Sequence, residues 1–188
     1  LLELDQLHAK LHMAPGERLA LLRAHLDTVL VRDDLTVQYI TLLNLAGEYE
    51  QAYELLSMRH FHPWEGGEGK VTKQYVVCLL HFARKALAEG KPEQALELLR
   101  RARVYPENLG EGKLEGATDN QILYYMGLAA QKLGDTAQAG ACFARSAAGD
   151  LTPAGVMYYN DQPADLILYQ GLSHQALGET EQAAACFH

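Results

Sequence analysis

The chain has 188 residues, of which 48% are apolar and 21% charged, and its 24 acidic against 16 basic side chains give a net charge of −8. This composition fits a globular domain with a sizeable core and excludes a disordered, collagen-like or disulfide-stapled chain. It argues against binding duplex nucleic acid or an anionic membrane, both of which need a basic face, and no apolar run approaches the ~20 residues that span a bilayer.

Leu1, Leu4, Leu7 and Leu11 recur at helical spacing, as do Leu19, Leu22, Leu26 and Leu30, with Pro15-Gly16 between them. The pattern predicts helices over 1–13 and 17–31, a degenerate pair filling residues 1–33. The opening Leu1-Leu2-Glu3-Leu4-Asp5 lacks an initiator Met and a basic leader, and reads as a fragment of a longer protein. Asp33 or Asp34 is placed to cap a helix over 34–46, which is followed by one over 48–59. Val71–Leu80 is rich in β-branched residues, yet Val71, Tyr75, Cys78, Leu79 and Phe82 keep helical spacing and predict a helix over 70–89. In 92–104, Ala95, Leu98, Leu99 and Ala102 form an apolar stripe opposite Glu93, Glu97, Arg100 and Arg101. The run Arg100, Arg101, Arg103 suits a helix C-terminus better than an anion site. Helices over 118–133, 135–148, 163–177 and 179–188 complete the chain, and no strand is expected. Cys78, Cys142 and Cys186 fall inside apolar helical patterns as small hydrophobes, which fits a reducing, cytoplasmic setting.

Four segments share a Gly followed five residues later by an Ala: Gly47…Ala52, Gly90…Ala95, Gly134…Ala139 and Gly178…Ala183. The glycines are 43, 44 and 44 residues apart, and Leu56, Leu99, Phe143 and Phe187 follow each Ala by four. Such a Gly ends a first helix in the left-handed conformation, and an acid or Pro opens the second. The Ala is placed at the helix crossing and the Leu or Phe fills the gap. The pattern Leu123-x2-Met126-Gly127-x2-Ala130…Ala139-x3-Phe143 resembles a tetratricopeptide repeat, as does Ile167-x2-Gln170-Gly171-x2-His174…Ala183-x3-Phe187. Residues 34–188 then divide into four repeats, about 34–60, 61–105, 106–150 and 151–188. The family's aromatic at the start of the first helix is missing, and the period exceeds its usual ~34 residues by about ten. The resemblance implies an all-α fold, a right-handed α-solenoid of stacked antiparallel helix pairs with lengthened loops between repeats.

Those loops carry the unusual residues. One reads His62-Pro63-Trp64-Glu65-Gly66-Gly67-Glu68-Gly69-Lys70, the other Tyr105-Pro106-Glu107-Asn108-Leu109-Gly110-Glu111-Gly112-Lys113. Gly-Glu-Gly-Lys thus recurs in register, and stacking should set the copies side by side. A phosphate-binding P-loop is excluded: Trp64 and Glu107 stand where it needs Gly, Val71 and Leu114 where it needs Ser or Thr. Two readings remain. The glycines and Lys70 and Lys113 form an anion-binding nest before a helix, with Glu68 and Glu111 accepting sugar hydroxyls. Alternatively they only let the chain turn, each Lys pairing with a nearby Glu. Trp64 is a plug or a stacking platform. In the third loop Tyr158 and Tyr159 line a groove or fill a seam, and Asn160 or Asp161 caps the next helix. Together the three loops resemble the repeat region of large bacterial proteins in which a β-rich domain of carbohydrate-enzyme type precedes the repeats, which implies a sugar-related context.

His8 with His12, and His60 with His62 and Glu65, lack a third metal ligand at diagnostic spacing, and no catalytic motif is present. No cofactor, metal or catalysis is therefore expected of this region. The leading functional expectation is a non-catalytic interaction scaffold of a larger bacterial protein, its first helices facing a protein, a peptide or a flanking domain. The alternative is a ligand-sensing or carbohydrate-presenting module built on the two Gly-Glu-Gly-Lys loops. Apolar Leu172, Ala176 and Phe187 near the C-terminal end predict self-association there, or continuation by the parent chain.

Overall fold

Gly134 shows how the helices are joined in pairs. It follows a helix at φ +78°, a left-handed conformation that a residue without Cβ adopts at little cost. Gly47, Gly90 and Gly178 do the same, and the residue after each of the four donates its N–H to a carbonyl five residues earlier at 2.8–3.0 Å.

The structure, a computed structural model, describes residues 1–114, 117–152 and 164–188. Its helices are α1 (Leu2–Lys10), α2 (Pro15–Arg23), α3 (Leu26–Val29), α4 (Asp33–Leu45), α5 (Tyr49–Met58), α6 (Lys70–Ala88), α7 (Pro92–Ala102), α8 (Asn120–Lys132), α9 (Thr136–Ser146), α10 (Ala164–Leu177) and α11 (Thr180–Phe187). A single 3-10 turn, Glu107–Leu109, lies in the second long loop, and no strand occurs among the described residues. The all-helical class holds, as does the helical segment after Lys70. Consecutive helices pack on one another, α4 on α5, α8 on α9 and α10 on α11, as in a tetratricopeptide-like helical repeat.

The chain divides into two compact units, Leu1–Cys78 with Tyr105–Gly112, and Leu79–Val104 with Lys113–His188. Fully buried Leu22, Ile40, Leu42, Leu43 and Leu56 make the core of the first. There Asn44 Nδ2 donates to Gln74 Oε1 at 3.0 Å, and the Cys78 thiol to Asn44 Oδ1 at 3.2 Å. Burial pushes that thiol up to about 12, so Cys78 is a packed, unreactive group. Asn108 fastens the second long loop to the end of α5, its amide donating to the carbonyls of Leu56 and Arg59, each at 2.8 Å.

In the second unit, the ring of Phe143 lies where a side chain on Gly127 would be, only 2.5 Å from the position of a Cβ. Gly171 and Phe187 repeat this contact at 2.4 Å. The 16-residue spacing of both pairs also joins Ile40 to Leu56 and Ala83 to Leu99, all four fully buried. Where the first residue is Gly the second is Phe, and where it is Ala or Ile the second is Leu. Ala52, Ala95, Ala139 and Ala183 are buried as the repeat alignment requires, whereas Phe187 keeps 47% of its surface exposed. Polar side chains also hold this unit: Asn120 donates to the carbonyls of Ser146 and Ala148, and Ser173 Oγ to Ser146 Oγ at 2.8 Å.

The opening pair departs from its expectation. The stretch 17–31 is not one helix, because His25 leaves the helical region at φ −125°, ψ 35° and divides it into α2 and α3. The last turn is thereby rotated, burying Val29 and leaving Leu26 exposed. Leu4 and Leu7 of α1 and Leu11 just past its end face outward, 42%, 51% and 69% exposed, while Asp5 is buried. Arg18 explains the inversion: its Nε and Nη2 donate to Asp5 Oδ1 and Oδ2 at 2.9 and 2.7 Å. Helix α1 also ends at Lys10, and His12 turns left-handed at φ 59°, so His8 and His12 do not share a helix face. Neither Asp33 nor Asp34 caps α4, whose N-cap is Arg32. Asp33 instead receives Arg59 Nε at 2.7 Å and the His62 N–H at 2.9 Å.

Candidate functional site

The two Gly-Glu-Gly-Lys copies meet in the first unit through one hydrogen bond. The N–H of Gly69 donates to Glu111 Oε2 at 2.7 Å, so the carboxylate beside the start of α6 belongs to the chain itself. Burial pushes the Glu111 carboxyl up, and Glu68 adds to this, against the opposing pull of the Gly69 N–H. Gly110 lies against the Phe61 carbonyl oxygen, 2.5 Å from the position its Cβ would take, and has φ +77°. Trp64 folds half-buried over Gly67, whose missing Cβ leaves room for the indole.

Equal sequence does not give equal backbone here. In the first copy Gly66 and Gly69 take positive φ; in the second the positive-φ residue is Gly110. Lys70 is the first residue of α6 and exposed, with Glu65, Glu68 and Gly66 exposed around it. Gly112 and Lys113 precede no helix directly, because α8 begins at Asn120, and Lys113 pairs with Asp119. Only the first copy runs directly into a helix, and there the N–H groups of Gly67, Gly69 and Lys70 donate within the chain, to the Trp64 carbonyl, Glu111 and the Gly67 carbonyl. Glu107 opens the 3-10 turn, exposed. Tyr158, Tyr159 and Asp161 lie outside the described residues. No group of three or more potential ligands that could hold a metal occurs among the described residues.

A groove of about 570 Å³ opens in the second unit between the C-terminal part of α6 and α8. Arg84, Leu87, Tyr125, Leu128 and Lys132 line it, the charged residues being cations. The Arg84 guanidinium lies over the Tyr125 ring, 5.7 Å from its centre, a cation–π contact that fixes both. Behind it, Tyr125 and Tyr124 each lie 5.9 Å from Tyr169 of α10, and Tyr124 lies 6.0 Å from Phe143. Burial pushes the Tyr169 hydroxyl up to about 12 and the Tyr124 hydroxyl in the same direction, so both remain neutral donors near neutral pH. The result is a firm aromatic floor with positive flanks.

Residues 121–147 match the tetratricopeptide repeat family. They span α8 and α9 and include the Gly127–Phe143 crossing. No solved structure matches the chain. No described helix is long and apolar enough to cross a membrane.

The groove residues were not singled out from the sequence, although the repeat register marks them. Arg84 and Leu128 directly follow the crossing residues Ala83 and Gly127, and Leu87 and Lys132 come one turn later.

Proposed function

We propose that the chain is a non-catalytic, scaffold-like protein-interaction module that holds an extended acidic segment of a partner, or of a flanking domain in a larger protein, in the α6–α8 groove. A tetratricopeptide repeat suggests protein interaction in general, and the groove supports this location for it. The observation that carries the reading is the half-buried Tyr125–Leu128 floor flanked by Arg84 and Lys132, with no acid among the described lining residues. Aromatic and apolar surface supplies contact area, and the cations select carboxylates. A selection from an unbiased peptide library against the pure chain tests it. Enriched peptides should pair an apolar residue with Asp or Glu, and Lys132→Glu, at an exposed lining position, should strongly weaken their capture with the fold intact. Peptides without acids, or capture unchanged by Lys132→Glu, would count against the groove.

A second reading, carbohydrate presentation from the first Gly-Glu-Gly-Lys loop, draws on exposed Glu65, Glu68 and Lys70 beside Trp64. Quenching of Trp64 fluorescence by an oligosaccharide would favour it. The internal Gly69–Glu111 bond favours a stitching role for the paired loops instead.

A further inference from the structure

We propose a separate binding site for a phosphate-type dianion in a pocket between the end of α7 and the start of α8. The pocket has a volume of about 420 Å³, and Arg100, Arg103, Lys113 and Asp119 line it. Among the described residues, three cations and one acid line it, in a chain whose net charge is −8. Asp119 is fully engaged: its Oδ2 accepts from Arg103 Nε at 2.9 Å and its Oδ1 accepts from Lys113 Nζ. Arg100 is exposed and enters no ion pair among the described residues.

Cations at the end of a helix often serve its C-terminal carbonyls. Here Arg103 and Lys113 converge on Asp119 instead, from two directions, and cations outnumber acids among the described lining residues. Two guanidinium forks and an ammonium are the groups that recognise phosphate: the forks supply paired donors, the ammonium a point charge. The start of α8, just past Asp119, adds the positive end of a helix. The volume exceeds that of a bare phosphate and lies within the range of small-ligand sites. Val104 and Leu114, 68% and 48% exposed, form an apolar rim suited to the face of a sugar. The ligand class is thus inorganic phosphate or a phosphate monoester of a small polyol. Lys113 is the member of this set that the second Gly-Glu-Gly-Lys contributes.

Titration calorimetry of the whole chain at low ionic strength tests the site with inorganic phosphate, glucose 6-phosphate and glucose. Both phosphates should bind at millimolar concentration and glucose should not. Tighter binding of glucose 6-phosphate identifies an ester site, equal binding a site for the free anion. Arg100→Gln, a surface change without structural partners, should weaken binding about tenfold. Asp119→Asn should strengthen it, by removing the carboxylate that competes for Arg103, and Tyr125→Ala in the groove should leave it unchanged. No heat from either phosphate, or equal affinity in wild type, Arg100→Gln and Asp119→Asn, would overturn the proposal. Circular dichroism of each variant separates loss of the site from loss of the fold.

Discussion

The opening pair α1–α2 and the pair α8–α9 both carry apolar residues at helical spacing, yet they bury opposite things. In α8–α9 the ring of Phe143 fills the space that Gly127 leaves, and apolar period and packing agree. In α1–α2 the leucines of α1 point outward and the bidentate Asp5–Arg18 pair is enclosed, with side-chain exposures of 0% and 9%. An apolar stripe therefore locates the inner face only when the opposite helix offers a shape to receive it. Where a buried carboxylate needs its counter-ion, that requirement decides which face turns inward, since an unpaired charge costs more than several exposed methyl groups.

The largest expected effect tests this difference directly. Arg18→Met strands Asp5 without its partner and should destabilise the fold by about 3–5 kcal/mol in denaturant melts. The double variant Asp5→Leu with Arg18→Met should recover most of that loss, because a well-packed apolar pair of similar volume replaces a buried ion pair at little cost. Loss equal in the single and double variants would mean that packing around α1, not charge, fixes its orientation.

Next comes the crossing. Gly127→Ala adds a Cβ 2.5 Å from the Phe143 ring, so it should cost about 1–3 kcal/mol although Ala ordinarily favours a helix over Gly. Ala139→Leu should cost a similar amount by forcing methylenes into a buried position. Melting temperatures at or above wild type would show the crossing to be looser than described. Glu111→Ala orphans the partly buried Gly69 N–H and should cost about 1–2 kcal/mol, whereas Glu111→Gln keeps an acceptor and should stay within about 0.5 kcal/mol. Burial holds the Glu111 carboxyl above its ordinary range, so its folded form keeps the proton longer than the unfolded form does. Its contribution is therefore full below the ordinary glutamate range and declines as pH rises through the folded value. Glu111→Gln should remove that slope from the pH–stability curve. The smallest effect belongs to the outer stripe: Leu7→Glu and Leu11→Glu should each change stability by no more than about 0.5 kcal/mol.

The repeats were legible because their devices are local. A Gly, an Ala five residues on and a Leu or Phe four beyond that describe a turn, a crossing and a plug, and each depends on nearby residues alone. The burial of Asp5 was not legible, because its partner lies 13 residues away on another helix and nothing in the spacing of Leu1, Leu4, Leu7 and Leu11 announces it. The division of 17–31 escaped for a related reason, since neither Ala24 nor His25 is a helix breaker and tertiary packing imposes the turn. Adjacency of the Gly-Glu-Gly-Lys copies followed from their register, but their unlike backbones did not. One runs directly into α6, while the other leads to Asp119 and α8. The groove was half visible: first helices were expected to face a partner, but Arg84, Tyr125 and Lys132 come to line one groove only once α6 and α8 stand together.

The proposed groove carries the functional account, and amide chemical shifts test it most directly. An isotope-labelled chain should be titrated with an acidic, aromatic-containing peptide drawn from the library selection. Concentration-dependent shifts should concentrate at Arg84, Leu87, Tyr125, Leu128 and Lys132, and be lost in the Lys132→Glu variant. Shifts centred on Trp64, Glu68 and Lys70 instead, with the α6–α8 groove silent, would contradict it and move the binding site to the first Gly-Glu-Gly-Lys loop.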